Sequence, residues 1–593
     1  MAPKRRATSP VRPPPAKKRE ITKLENGEDE IPHEERSGVV DRRFYPREMT
    51  NERCAKYNDG SIPRPIALLN AALLDTRAGR RQISPGKSVV HWFKRDLRLM
   101  DNHALSLASR KAKDHGIPLV CMYIVSPEDF EAHNTSAARV DFDLRNLELM
   151  KQDLAELDIP LYVETVEKRK DAIPHLLAKF KEWGAKHVYC NMEYEVDELR
   201  RETKLVTQCL KAGIAFEVVQ DDVVVEPGKL ASGAGKQYSV YSPWFKSWVK
   251  YVHEHPHVLK EYPSPTANPA SARTTFSAIF DSPIPPAPSC KALSAEDRER
   301  LTSLFPAGEH EALTRLNTFL STSKAQNYAR ARNLPATPGT SVLSPHFSAG
   351  TLSTRTAVRL ALATTSKSLS ALEASHPGLR TWISEVAWRD FYKHVLAHWP
   401  YVCMAKPFKY EYTNINWEYN DTHFEAWAAG KTGYPIVDAA MRQCNTMAWM
   451  HNRCRMIVAS FLAKDLLLDW RLGEKYFMLH LIDGDFASNN GGWGFAASTG
   501  VDPQPYFRVF NPLLQSEKFD AEGEYIRKWV PELKDVVGKA IHDPYGRGAG
   551  KIAEKAGYPK PIVEHKMARE RALARYKEGI GRETANVGGG VHN

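Results

Sequence analysis

Five short runs of β-branched and aromatic residues, separated by segments of helical period, constrain this chain more than any other feature. The runs are SVVHWF (88–93), PLVCMYIV (118–125), PLYVE (160–164), KHVYC (186–190) and AFEVV (215–219). Helical-period segments lie between them at roughly 103–115, 138–157, 171–183 and 195–211. Parallel neighbours need a crossover of a dozen or more residues, and a helix supplies it. The spacing therefore predicts a doubly wound α/β domain with a parallel sheet over residues 87–220. No GxGxxG follows any run, so the ordinary dinucleotide site of such sheets is unsupported.

After residue 220 the texture changes twice. Residues 221–306 hold GKLASGAGKQYS, PSPTANPASA and IPPAPSC, and read as a long interdomain linker. Over 307–580 strand signals nearly vanish, while EALTRLNTFL, STRTAVRLALAT, WISEVAWRDFYKHVL and RCRMIVASFLAKDLLLDWRL keep a helical period. A large all-α domain is expected there, with a flexible tail at 581–593. Residues 1–86 are rich in Pro and charge and read as a mostly disordered extension. A length of 593 residues suits two to four domains.

The net charge of +11 invites a nucleic-acid partner, but its distribution weakens that argument. Residues 1–20 carry seven bases against one acid, and residues 551–593 nine against five, which leaves only about +1 for the body. The clusters PKRR and AKKR around a Pro-rich spacer resemble a bipartite nuclear import signal, so a nuclear location is expected. A basic, acid-poor start also fits a mitochondrial transit peptide, and a merely solvated tail is the plain alternative. Eight cysteines without a CxxC give no support to a zinc cluster or a disulfide scaffold, and no metal is expected. No apolar run approaches the ~18 residues of a membrane span.

Four constellations could carry chemistry. DGDFASNNGGWGFAASTG (483–500) packs acids, amides, glycines and an indole between apolar helices, as a polar cofactor would require, although a surface turn would look the same. In HNRCRM (451–456), Asn452 and Met456 share a helix face, and at least one of Arg453 and Arg455 is expected to pair with Asp483 or Asp485. An ordinary helix ion pair is the alternative. In WISEVAWRD, Glu385, Trp388 and Arg389 lie on one face, a carboxylate beside an indole that suits a planar base, or simply a core Trp. Tyr328 and TSVLS (340–344) precede a helix and could cradle phosphate or merely cap it.

Taken in order, FKRDLRLMDNHAL, WISEVAWRDFYKH, GKTGYPIVDAAMRQ, WMHNRCRM, ASFLAKDLLLDWR, LIDGDFASNNGGW…STGVDPQPYFRVFNP and KPIVEHKMARERALARY resemble the photolyase/cryptochrome family over about residues 87–580. Within it they resemble the fungal-like class I enzymes for cyclobutane pyrimidine dimers. The resemblance implies an antenna-binding α/β domain joined by the linker to a helical domain that holds FAD, reduced when active. It also implies a monomer that acts on UV-damaged DNA, single- or double-stranded, by light-driven electron transfer to a flipped-out dimer. A cryptochrome-type blue-light photoreceptor, alone or combined with repair, is the alternative; its expected marks, an acid or thiol at position 489 and a long C-terminal extension, are not seen.

By motif position, the resemblance implies that Tyr328, Thr340, Ser341, Val342, Leu343 and Ser344 bind the pyrophosphate side. Trp382, Glu385, Arg389 and Asn452 would lie at the cofactor, Arg455 and Asp483 would pair beside the flavin ring with Asp485 near, and Asn489 would face flavin N5. Glu385, Trp388, Asn452, Arg453 and Met456 would hold the dimer; related (6-4) enzymes have histidines at the places of Asn452 and Met456. Trp417, Trp470 and Trp493 match an electron-hopping chain, although each could be a core aromatic. His133, Asp197, Glu198 and Cys403 match a 5,10-methenyltetrahydrofolate antenna site. There a family Asn is Asp197 and a family Lys is Met404, so a deazaflavin antenna or none is left open.

Overall fold

The computed structural model describes residues 38–587, apart from 42, 46–48, 366–367 and 370–374, with side chains described as far as residue 581. The basic clusters at 4–19 lie outside the described residues. All five apolar runs are strands: β1 Ser88–Trp92, β2 Leu119–Val125, β3 Leu161–Thr165, β4 Ala185–Asn191 and β5 Ala215–Val219. They pair in parallel in the order β3-β2-β1-β4-β5. Every residue of β1 is buried, the signature of a central strand covered on both faces.

Helices His103–His115, Ala137–Glu156, Arg169–Glu182 and Val196–Lys211 make the crossovers. The first shows why the boundaries were readable: the Asn102 side chain accepts from Leu105 N, and Gly116 ends the helix at φ 62°. The strand order reverses at β1, so the crevice of this sheet opens at the carboxyl ends of the neighbours β1 and β4.

The sequence reading of the flanks is corrected at three places. Residues expected as disordered extension form the helices Asn51–Asp59, Pro65–Asp75 and Arg77–Arg81. Cys54, Tyr57 and Leu69 are buried in one cluster with Leu199 and Val206 of the Val196–Lys211 helix. Their few apolar residues were masked by the surrounding Pro and charge. The expected linker carries the helices Tyr241–Glu254 and Ala295–Leu304, and Trp244 and Trp248, one turn apart, are fully buried. The expected tail begins inside the last helix, His565–Val587.

The helical half centres on the 22-residue helix Pro377–His398, which buries residues around its whole circumference. The helices Ser323–Ala331 and Phe486–Ala497 pack on it, and the latter also contacts Asn452–Ser460 and Trp470–His480. Gly473 permits this last approach, since a Cβ there would collide with the Trp493 ring. Buried charges stitch the two halves: Arg355 meets Asp221 at 2.7 Å and Asp101 at 3.2 Å, and Arg98 pairs with the same Asp221. Two guanidinium groups hold the Asp221 carboxyl far below the ordinary range despite its burial.

Candidate functional site

The converging helices enclose a cavity of about 490 Å³. Its wall contains Tyr328, Ser341, Leu343, Ser344, Trp382, Glu385, Trp388, Arg389, Asn452, Arg453, Arg455, Met456, Asp483, Asp485, Asn489 and Trp493. Residues scattered from Tyr328 to Trp493 thus meet in one space. Thr340 and Val342 are not in the wall. Val342 instead holds a left-handed backbone, φ 51°, which is strained for a β-branched residue and turns its neighbours Ser341 and Leu343 toward the cavity.

Both serines are oriented by indoles. Trp382 Nε1 donates to Ser341 Oγ at 3.2 Å, and Trp449 Nε1 donates to Ser344 Oγ at 3.1 Å. Each hydroxyl keeps its own O–H as a donor for an anionic group. Trp449 opens the WMHNRCRM motif, but nothing in the sequence pairs its indole with Ser344.

Arg455, and not Arg453, makes the expected ion pair: its Nη2 lies 2.7 Å from Asp483 Oδ2. Asp483 Oδ1 is buried without a hydrogen-bond partner, as is Arg389 Nε, and both residues line the cavity. Orphaned buried acceptors and donors are costly unless something satisfies them. A flavin nucleotide, with N–H donors and carbonyl acceptors on its ring edge and phosphates on its tail, matches this set. Asn489 Nδ2 donates to the Glu474 carbonyl at 2.9 Å, which leaves its Oδ1 as the free end of the amide. Asp485 accepts from Ser488 N as helix cap and meets Lys393 at 3.0 Å, so its carboxyl stays ionised.

Also in the wall, Glu385 is gripped by Arg332 at 2.6 Å, a partner that the sequence did not reveal. Burial raises the Glu385 pKa, and the Arg332 charge only partly offsets it. Trp388 stacks on Tyr241 of the supposed linker, with centroids 3.6 Å apart and planes 9° from parallel. Arg453 donates to Asn333 Oδ1 at 2.9 Å and lies over the Phe519 ring.

Trp493 lines the cavity, while Trp470 and Trp417 lie away from it. Trp493 meets Phe477 edge-on at 5.1 Å and Trp427, which sequence reasoning missed, at 6.1 Å. Trp417 meets Tyr576 at 5.7 Å.

A second cavity, of about 210 Å³, is lined in part by the segments that follow β2 and β4. His133, Asp197 and Cys403 line it; Glu198 does not, but holds His133 Nε2 at 3.2 Å. Met404 lies in the wall, with the unforeseen Tyr45, Glu195, Arg471 and Glu474.

Residues 89–266 match a family model described as DNA photolyase, and residues 382–578 one described as the FAD binding domain of DNA photolyase. A deoxyribodipyrimidine photo-lyase of Neurospora crassa is 58% identical over 563 residues, covering 93% of this chain and 91% of that protein. One from Escherichia coli is 41% identical over 490 residues, covering 82% of this chain and 98% of that protein. The crystal structure of a bacterial class III photolyase from Agrobacterium tumefaciens is similar with a TM-score of 0.70 at 32% identity, covering 83% of this chain and 97% of the other.

Proposed function

The chain belongs to the DNA photolyase family, a light-driven lyase that uses FAD to repair cyclobutane pyrimidine dimers in DNA, and on that premise we propose how its cavity divides the work. The supporting observation is that the residues matched to cofactor and those matched to dimer share the wall of one cavity. When bound and reduced, FAD would supply there the light-driven electron transfer that opens the cyclobutane ring with no net redox change.

The protein's part is to position and to exclude water. Asp483 and Arg455 fix the flavin edge, and the Ser341 and Ser344 hydroxyls take the pyrophosphate side. Asn489, whose Nδ2 is held by the Glu474 carbonyl, would present Oδ1 to the flavin ring as a neutral acceptor, where a carboxylate would add charge. A dimer inside the stack cannot reach this space, so it is flipped out, at a cost of a few kcal/mol that its weakened pairing reduces. Glu385, held in place by Arg332, then bonds to the dimer's base edge. Trp388, backed by Tyr241, offers the flat apolar face, while Asn452, Arg453 and Met456 close the rim. Phosphate contacts supply most of the affinity and make it fall with salt.

The second cavity is the antenna site in this reading, with 5,10-methenyltetrahydrofolate as occupant, and the enzyme acts as a monomer on single- or double-stranded DNA. The basic clusters at 4–19 direct it to the nucleus. Dark binding to dimer-bearing and undamaged oligonucleotides tests the pocket assignment. Glu385→Ala is expected to remove most of the preference for the dimer and keep FAD; an unchanged preference would overturn the role given to Glu385.

A further inference from the structure

Between the two cavities lies Lys393, with only 2% of its side chain exposed and three carboxylates around its ammonium. Asp485 is 3.0 Å away, Asp222 3.5 Å and Glu195 3.7 Å. These acids face different spaces. Asp485 lines the larger cavity and caps the helix that carries Asn489. Asp222 pairs with Arg389, another wall residue of that cavity. Glu195 lines the smaller cavity, where Arg95 holds its Oε1 at 2.7 Å and its Oε2 is buried with no hydrogen-bond partner.

One ammonium cannot serve three carboxylates equally. In a buried site its attraction is divided among them according to distance and to what else neutralises each one. Asp222 has Arg389 and Glu195 has Arg95 as further partners, so Lys393 is the cation they share with Asp485. Whatever changes the charge at Glu195 changes the share left for Asp485 and Asp222.

We propose that Lys393 is a positioning residue that couples the two cavities: a hydrogen-bond donor or cation taken up at Glu195 in the smaller cavity alters the grip of the larger one on its cofactor. The partner of Glu195 is thus an N–H or cationic group of the second ligand, and linkage makes the effect reciprocal, so cofactor binding alters the affinity of the smaller cavity by the same factor. The coupling rests on the reading of the larger cavity as the FAD site, and FAD binding by the unaltered chain, measured first, separates that reading from this one.

The test is a double-mutant cycle read as the FAD dissociation constant in the dark, by flavin fluorescence and equilibrium dialysis. Glu195→Gln, which removes the charge from the far cavity and keeps the shape, is expected to shift the constant about fivefold or more. In the Lys393→Met background the same change is expected to have no effect. A smaller shift in the parent, or one that persists without the ammonium, overturns the proposal. If Lys393→Met does not fold, judged by its far-UV spectrum and melting, Lys393→Gln takes its place, and the parent shift alone still permits refutation.

Discussion

Arg455 Nη2 sits 2.7 Å from Asp483 Oδ2, and Oδ1 of the same buried carboxylate has no hydrogen-bond partner. The pair is half satisfied within the protein, which is what a site built around a missing donor looks like. Asp483→Asn removes the charge and is expected to weaken FAD binding about tenfold, roughly 1.4 kcal/mol. Asp483→Ala also strands Arg455, which is expected to destabilise the fold by about 3 kcal/mol. Equilibrium dialysis against FAD measures the first effect, and thermal melting the second.

Glu385 is expected to separate repair from cofactor binding. Removing its carboxyl deletes a hydrogen bond to the dimer, about 1.5–3 kcal/mol for a carboxylate, and strands Arg332. The repair rate of reduced Glu385→Ala under constant light is expected to fall tenfold or more, with bound FAD unchanged. Glu385→Gln, which keeps a donor and an acceptor, is expected to retain more activity than Ala.

Trp493 is expected to matter for reducing the flavin rather than for repair. It lines the cavity and continues into a cluster of rings through Phe477 and Trp427. Photoreduction of oxidised FAD by Trp493→Phe is expected to slow at least tenfold, about 1.4 kcal/mol in barrier, while enzyme reduced beforehand repairs normally. Transient absorption of the flavin follows the first, and dimer loss the second.

Lys464 supplies a pH prediction. It is fully buried, donates to Ser498 Oγ at 2.9 Å, and burial lowers its pKa to about 7. The unfolded chain holds this proton up to its ordinary pKa near 10.4, so between about pH 7 and 10 unfolding takes up a proton. The Lys464 contribution therefore favours the folded state progressively as pH rises through that window, by at most about 4 kcal/mol. Lys464→Met is expected to melt higher at pH 7, with the advantage shrinking toward pH 10. Melting temperatures across that range check it.

The sheet was legible because its apolar runs are separated by helical periods, and each became a strand within a residue or two. Local pattern led only to a pairing of Arg453 or Arg455 with Asp483 or Asp485; the family motif singled out Arg455 with Asp483, the pair the structure makes. The Arg332–Glu385 pair was not legible, since nothing local to either residue points to the other, 53 positions away. Tyr241 was misread for a different reason: Gly- and Pro-rich flanks hid a helix whose aromatic face supports Trp388. The helices at 51–81 were missed because their burial depends on a surface made by residues 196–211. Charge-sharing at Lys393 has no sequence signature, because its partners come from loops and helices far apart in the chain.

The central claim is that light, reduced FAD and this cavity together open pyrimidine dimers. Purified protein carrying reduced FAD, illuminated with near-UV or blue light in the presence of dimer-bearing DNA, is expected to remove the dimers and return the flavin to its starting redox state, with no loss in the dark. Dimers that persist under illumination, with FAD bound and reduced, would contradict the account.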